Sequence, residues 1–256
     1  MLNIDSFVVT KTTQKCGPCQ IFRLVFPEKI GQKRTKKGIV LLEYFDISPQ
    51  ISSEIAVFPG DVPFRRMTSL DIQKGDHLTL SAIETTLHIG AHADAPSHYH
   101  IKGESIEQRS LKIYFGAAQV IWARDSGTNR VELNDLATPI ISAPRVLLKT
   151  NSFPNPQNWN SNFKGLSVEL IEFLYGKGVR LVGIDTPSID PSDSKDLPAH
   201  KAIHKNDMAV LEGLTLTKVP DGKYFLCALP LAIKGGDASP VRAVLWDLQW
   251  LQNETR

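Results

Sequence analysis

Cysteine is scarce in this chain. Its 256 residues hold only three, two of them (Cys16 and Cys19) nearly adjacent. Three cysteines do not make the disulfide framework of a small secreted scaffold. The fold must rest on a buried apolar core, and a chain of this length can build a sizeable one. An excess of charge of one sign is also missing: 29 basic and 27 acidic side chains leave a formal net charge of +2. No nucleic-acid partner is expected, since that would require a concentrated basic face. Long hydrophobic runs are absent too, none approaching the roughly 20 residues needed to span a bilayer. Residues 1–15 lack the basic and then apolar pattern of a secretory leader. The expectation is a protein of the cytoplasm with no membrane partner. There is no internal repeat and no Gly-x-Ser-x-Gly elbow, so the serine-hydrolase machinery is not indicated.

What the chain does have is a concentration of histidine. Four of its seven histidines, His88, His92, His98 and His100, fall within thirteen residues. With Asp94 among them, His88, His92 and His98 are good donors for a divalent metal. On a helix His88 and His92 would share a face, but Asp94 and His98 would point elsewhere, and Gly90 and Pro96 both disfavour a helix. In an extended chain all four even-numbered side chains leave the same face. A straight strand would nevertheless hold His88 and Asp94 about 20 Å apart, whereas the ligands of one zinc each lie about 2 Å from the ion. The chain must curl, and Gly90 is where it can do so without a steric clash. The expected path is a strand running into a bend at Gly90, with Pro96 fixing the exit.

Along the rest of the chain, residues 1–40 read as an extension and residues 41–256 as the main domain. Cys16-Gly17-Pro18-Cys19 has the letters of a redox pair but lacks the strand-then-helix context, and a turn is the simpler reading. The basic run 29–37 reads as a solvated hairpin or linker. Val57 to Asp61 is a Pro-Gly turn carrying an aromatic, Phe58, which can belong to the core or wall a pocket. Strands are expected over 78–88, 117–123, 145–150, 179–185, 209–216, 224–231 and 241–248. Residues 151–164 form a long polar loop of the kind that often carries function. A helix opens at Ser167, with Glu169 in its first turn, and ends at Gly176 and Gly178. A second, short helix opens at Pro198. Strands outnumber helices in mixed order, which indicates an α/β protein with a largely β core.

A second group of metal donors follows: His200, His204 and Glu212. His200 and His204 are four apart and can share a helix face, so spacing leaves the choice between them open. Glu212 is an acid inside an apolar strand, costly to bury unless it is paired or binds a metal.

The pattern His88-x-Gly90-x-His92-x-Asp94-x-Pro96-x-His98 resembles the signature of the metal-dependent cyclase-like hydrolases, and among them most closely the bacterial kynurenine formamidases. The resemblance extends through 193–200, 207–214, 228–231 and 237–243, covering about residues 43–246. It implies an α/β fold around a β-barrel-like core with flanking helices, usually dimeric. It further implies two divalent metal ions, zinc or alternatively manganese. His88, His92 and Asp94 match the ligands of the first metal, and Asp94, His200 and Glu212 those of the second. His98 matches the catalytic proton carrier, and Phe58 stands where an aromatic, commonly Trp, faces the substrate ring. The implied reaction is hydrolysis of N-formyl-L-kynurenine to L-kynurenine and formate, a step of tryptophan degradation. The chemistry is consistent with those residues. A bound metal lowers the pKa of water to about 7, and an imidazole such as that of His98 exchanges protons near neutrality. Another aryl or cyclic amide, such as isatin, is the alternative substrate. A non-catalytic metal-binding protein is the remote alternative.

Overall fold

The structure, a computed structural model, describes residues 44–247. Cys16, Cys19 and the basic run 29–37 lie outside the described residues. Thirteen strands are present among the residues described: β1 (Tyr44–Asp46), β2 (Arg65–Leu70), β3 (Leu80–Glu84), β4 (His92–Asp94), β5 (Phe115–Trp122), β6 (Arg130–Val131), β7 (Arg145–Lys149), β8 (Gly165–Leu166), β9 (Leu181–Ile184), β10 (Ala209–Glu212), β11 (Gly222–Cys227), β12 (Ala238–Pro240) and β13 (Val244–Asp247). The α-helices are α1 (Pro96–Tyr99), α2 (Val168–Gly176) and α3 (Pro198–Lys205).

Nine strands form one curled sheet in the order β1-β13-β11-β5-β7-β9-β10-β4-β12. Its centre, β5-β7-β9-β10, is parallel, and both flanks are antiparallel. The central strands Leu181–Ile184 and Ala209–Glu212 are buried along their whole length. That is why they read as unbroken apolar runs rather than as an alternation. Val146, Leu148, Val182, Ile184 and Val210 pack on one face beneath α2 and α3. Leu147, Leu181, Leu211, Leu226 and Leu245 pack on the other, inside the curl. The fold is α/β with a largely β, half-barrel core, as expected.

Both expected helices form. Ser167 caps α2 by accepting a hydrogen bond from the Leu170 backbone N–H at 3.1 Å. At α3, Pro198 occupies the first turn, where its missing N–H costs nothing. The strand expected over 78–88 is shorter than that and ends at Glu84. Residues 65–84 instead make a separate antiparallel hairpin of β2 and β3, largely exposed, with Met67, Leu80 and Ile83 each more than half accessible. The chain then crosses a loop before β4.

One close approach decides where the two metal-donor segments meet. β10 pairs with β4 so that Glu212 lies opposite His92. Immediately beyond, Gly213 passes Gly90 so tightly that a Cβ on Gly213 would lie 2.0 Å from the Gly90 carbonyl oxygen. Gly213 has φ +64° and Gly90 has φ +57°. Gly213 is therefore favoured twice over, for space and for its left-handed backbone, and Gly90 for its left-handed backbone.

Candidate metal centre and substrate cavity

In β4 the side chains alternate as a period of two demands. Ala91, Ala93 and Ala95 turn into the core, while His92 and Asp94 turn to the other side. The bend at Gly90 brings His88 back onto that side. There His88 Nδ1 lies 2.9 Å from Asp94 Oδ1, and His92 Nε2 lies 3.4 Å from the same oxygen. α3 contributes His200, whose Nε2 is 3.4 Å from both Asp94 Oδ2 and Glu212 Oε1. β10 contributes Glu212, whose Oε2 is 3.3 Å from His92 Nε2. The five residues thus form two donor groups, His88-His92-Asp94 and Asp94-His200-Glu212, that share Asp94. His204 lies outside both and stacks on His100 with ring centroids 3.9 Å apart.

The supporting hydrogen bonds orient the rings. His92 Nδ1 donates to the Gly90 carbonyl at 2.9 Å, and His200 Nδ1 donates to Asp190 at 2.8 Å. Each bond turns the opposite nitrogen, Nε2, toward the carboxylates. Asp190 also accepts from the backbone N–H groups of Ala199 and His200, which ties the start of α3 to the same oxygens.

The donor chemistry fits a divalent cation. His92 Nε2 and both oxygens of Asp94 are buried and face only the other donors of the cluster, none of them in hydrogen-bond geometry. Buried polar atoms without partners are uncommon, and here they converge on one another at close range. The electrostatics agree. Burial opposes protonation of His92, yet Asp94 and Glu212 outweigh it and lift the imidazole to about 10. Burial would raise Asp94, but His200, His88 and His92 hold it well below the usual carboxylate range. Burial and Asp94 both push Glu212 up, and His200 and His92 pull it down further. Two carboxylates and three imidazoles thus share one buried cluster, each carboxylate favouring positive charge beside it, as a divalent cation would supply.

The cluster closes one end of a cavity of about 430 Å³. His98 lines it from α1, its ring centroid 4.1 Å from that of His88 and 6.2 Å from that of His200. The stretch leaving the bend, expected to be non-helical with Pro96 fixing the exit, makes a helical turn instead. Pro96 sits at the first helical position and starts a turn that lifts His98 over the metal donors. Phe58 also lines the cavity, edge-to-face with Trp159 at 4.8 Å.

Three groups at the site went unnoticed in the sequence. Asp237, just before β12, lies 3.1 Å from His88 Nε2 and 3.5 Å from His98 Nδ1. Trp159 and Phe153 extend the aromatic wall from the long loop 151–164. Asp185 anchors that loop, accepting from the Thr150 and Asn151 backbone N–H groups at 2.8 to 3.0 Å and from the Thr150 hydroxyl at 2.6 Å. Asp237 lay inside a stretch already noted for its resemblance, and the loop had been marked by its length. Neither signal singled out a residue.

Comparisons with known proteins place the chain in a family. Residues 45–191 match the family model described as "Putative cyclase". A protein named kynurenine formamidase from Bordetella pertussis is 43% identical over 204 residues, covering 80% of this chain and 98% of that protein. A solved structure described as a potential metal-dependent hydrolase with cyclase activity superposes with a TM-score of 0.69 at 27% identity, covering 81% of this chain and 98% of the other. Isatin hydrolase A from Labrenzia aggregata superposes with a TM-score of 0.66 at 20% identity, over 80% of this chain and 94% of the other, a likeness of fold.

Proposed function

The chain belongs to the cyclase family, and on that premise we propose that it is a metal-dependent amidohydrolase cleaving N-formyl-L-kynurenine to L-kynurenine and formate. The observation that carries this reading is the pair of donor groups sharing Asp94, beside His98, which pairs with Asp237 and belongs to neither of them, in an aromatic-walled cavity. In this reading His88, His92 and Asp94 hold one divalent ion, and Asp94, His200 and Glu212 hold a second. Mixed imidazole and carboxylate donors suit zinc, with manganese as the alternative. When bound, the metal supplies Lewis-acid chemistry, making water acidic enough to attack at neutral pH and polarising the formyl carbonyl.

The protein's own groups do the rest. Phe58 and Trp159 form the wall against which the flat aryl ring lies. His98 faces the reacting centre, where it accepts a proton from the attacking water and returns it to the departing aniline nitrogen. Asp237, 3.5 Å from His98 Nδ1, orients that ring. The aniline is a poor leaving group as an anion, so delivery of this proton is what lets the C–N bond break.

Hydrolysis of another aryl or cyclic amide, isatin included, is the second reading. It is supported by the shared fold and by a wall that would stack on any flat ring. A purely structural metal site is disfavoured, because such a site is closed by protein ligands and needs no proton carrier. Among the described residues no helix is long and apolar enough to cross a membrane. We take the chain to act as a homodimer, a reading supported by the β2–β3 hairpin with its exposed Met67, Leu80 and Ile83.

The test is turnover of N-formyl-L-kynurenine by the purified protein, metal-loaded and after chelation. Formate release is expected only with metal. Replacing His98 with Ala is expected to lower kcat by about 10²- to 10⁴-fold while metal content stays at the wild-type level. Wild-type turnover in that variant would remove His98 from the mechanism.

A further inference from the structure

The aromatic wall and the rim of the cavity are built on one turn. In Phe58-Pro59-Gly60-Asp61 the Asp61 backbone N–H donates to the Phe58 carbonyl at 2.9 Å, and Gly60 has φ +99°. Proline at the second position and a left-handed glycine at the third define a type II turn. The same turn therefore presents the Phe58 ring and, three residues on, the Asp61 carboxylate, and both line the cavity. Thr86 fixes the arrangement to the site. Its hydroxyl donates to Asp61 Oδ2 at 3.3 Å and accepts from the His88 backbone N–H at 3.3 Å, while its own N–H donates to Val62.

The other carboxylates lining the cavity are committed. Glu212 faces His92 and His200 and accepts the Ile189 N–H. Asp237 faces His88 and His98. Asp185 is occupied by Thr150 and Asn151. Asp61 has a hydroxyl as its partner and, among the described residues, no cation and no N–H group. No lysine or arginine lines the cavity among those residues either. The one charge left unmatched at the exposed end of the cavity is therefore negative.

We propose that Asp61 is the specificity-determining residue for a substrate bearing an ammonium group, binding the α-ammonium of the amino-acid arm while Phe58 contacts the aryl ring. This inference rests on the formamidase reading and deepens it. N-formylkynurenine carries a flexible α-amino acid arm ortho to its formamide. With the formamide at the metal end and the ring along Phe58, the arm points back to the rim, where, among the described lining residues, the carboxylate free to receive it is that of Asp61. The substrate carboxylate, for which no lysine or arginine lines the cavity among the described residues, stays toward solvent. Isatin has no such ammonium and would gain nothing from Asp61.

The experiment compares kcat/KM for N-formyl-L-kynurenine with that for its deamino analogue, 4-(2-formamidophenyl)-4-oxobutanoate, in metal-loaded wild type, Asp61→Asn and Asp61→Glu. Charge-assisted contacts of this kind predict that Asp61→Asn lowers the ratio of the two constants by about tenfold to a hundredfold, mainly through KM. Asp61→Glu is expected to restore most of that ratio. Because each protein is judged by a ratio, partial misfolding cancels. A ratio within about twofold of wild type in Asp61→Asn overturns the assignment. So does a wild-type enzyme that shows no preference for the amino-bearing substrate, and in that case the hydrolase reading survives. If the metal-loaded wild type cleaves neither formamide, the formamidase reading fails and takes this inference with it.

Discussion

The two walls of the cavity are built on opposite principles. His92, Asp94, His200 and Glu212 are each 2% exposed and project from two strands of the main sheet and a helix. Phe58, Asp61, Phe153 and Trp159 project from turns and a loop, the Phe58 and Phe153 rings packing edge-to-face on Trp159 and Asp61 accepting from the Thr86 hydroxyl. Groups that must hold reacting atoms to within fractions of an ångström sit on rigid elements. Groups that choose which molecule enters sit on segments whose sequence can change without disturbing the core. Substitutions in the first wall should abolish chemistry, and substitutions in the second should reweight substrates.

The sharpest test of that division is Asp94, the one side chain common to both donor groups. Asp94→Ala removes a ligand from each group and leaves Glu212 as the one carboxylate facing His92 and His200. We expect loss of more than about 10³-fold in kcat/KM, with elemental analysis showing less than the wild-type metal content. Retention of full metal content with normal turnover would show that the buried wall is only structural.

A second difference between the walls is ionic. In the metal-free protein His92 is held at about 10, burial opposing and Asp94 and Glu212 favouring the proton. Its folded pKa lies above the ordinary 6.5, so this proton stabilises the metal-free fold fully below pH 6.5. The contribution is lost as pH rises through about 10. Metal binding must expel the same proton, so affinity should rise about tenfold per pH unit for each proton released over that interval. Calorimetric titration of the metal-free protein with zinc at pH 7.5, in buffers of different ionisation enthalpy, should reveal net proton release. Equal apparent enthalpies across buffers would mean that the cluster is already deprotonated and that the electrostatic account of this wall is wrong.

The two walls also differed in how much of them the sequence revealed, for the same physical reason. His88, His92 and Asp94 are close in sequence, share an even-numbered face and flank a glycine, so strand geometry alone required a bend at Gly90, where φ is +57°. Glu212 stood out as an acid within an apolar run, because an unpaired carboxylate is costly to bury. His200 could not be separated from His204 by spacing, since that choice depends on how α3 is rotated against the sheet, which is set by Asp190 bonding to the helix start. His98 was recognised, but its backbone was not: four residues from Pro96 to Tyr99 are too few for a periodic signal. Asp237 and Trp159 each contribute one side chain from an irregular segment, brought into place by contacts more than sixty residues away along the chain. No local pattern encodes such contacts.

Trp159 offers the finest discrimination between the walls. Its ring meets Phe58 edge-to-face at 4.8 Å and Phe163 at 5.9 Å, linking the turn at 58–61 to the long loop. Phe163 is buried, so the loop stays anchored at that end when Trp159 is shortened. Aromatic pairs of this geometry contribute about 0.5 to 1.5 kcal/mol beyond their burial, so Trp159→Ala should raise KM for an aryl formamide about twofold to tenfold. Because the donors of the metal wall are untouched, kcat should change far less than KM, and metal content not at all. Steady-state kinetics on the variant separate the two constants. If kcat falls as much as kcat/KM, the ring contributes only in the transition state, and the loop wall would have to be counted with the chemical machinery rather than with substrate selection.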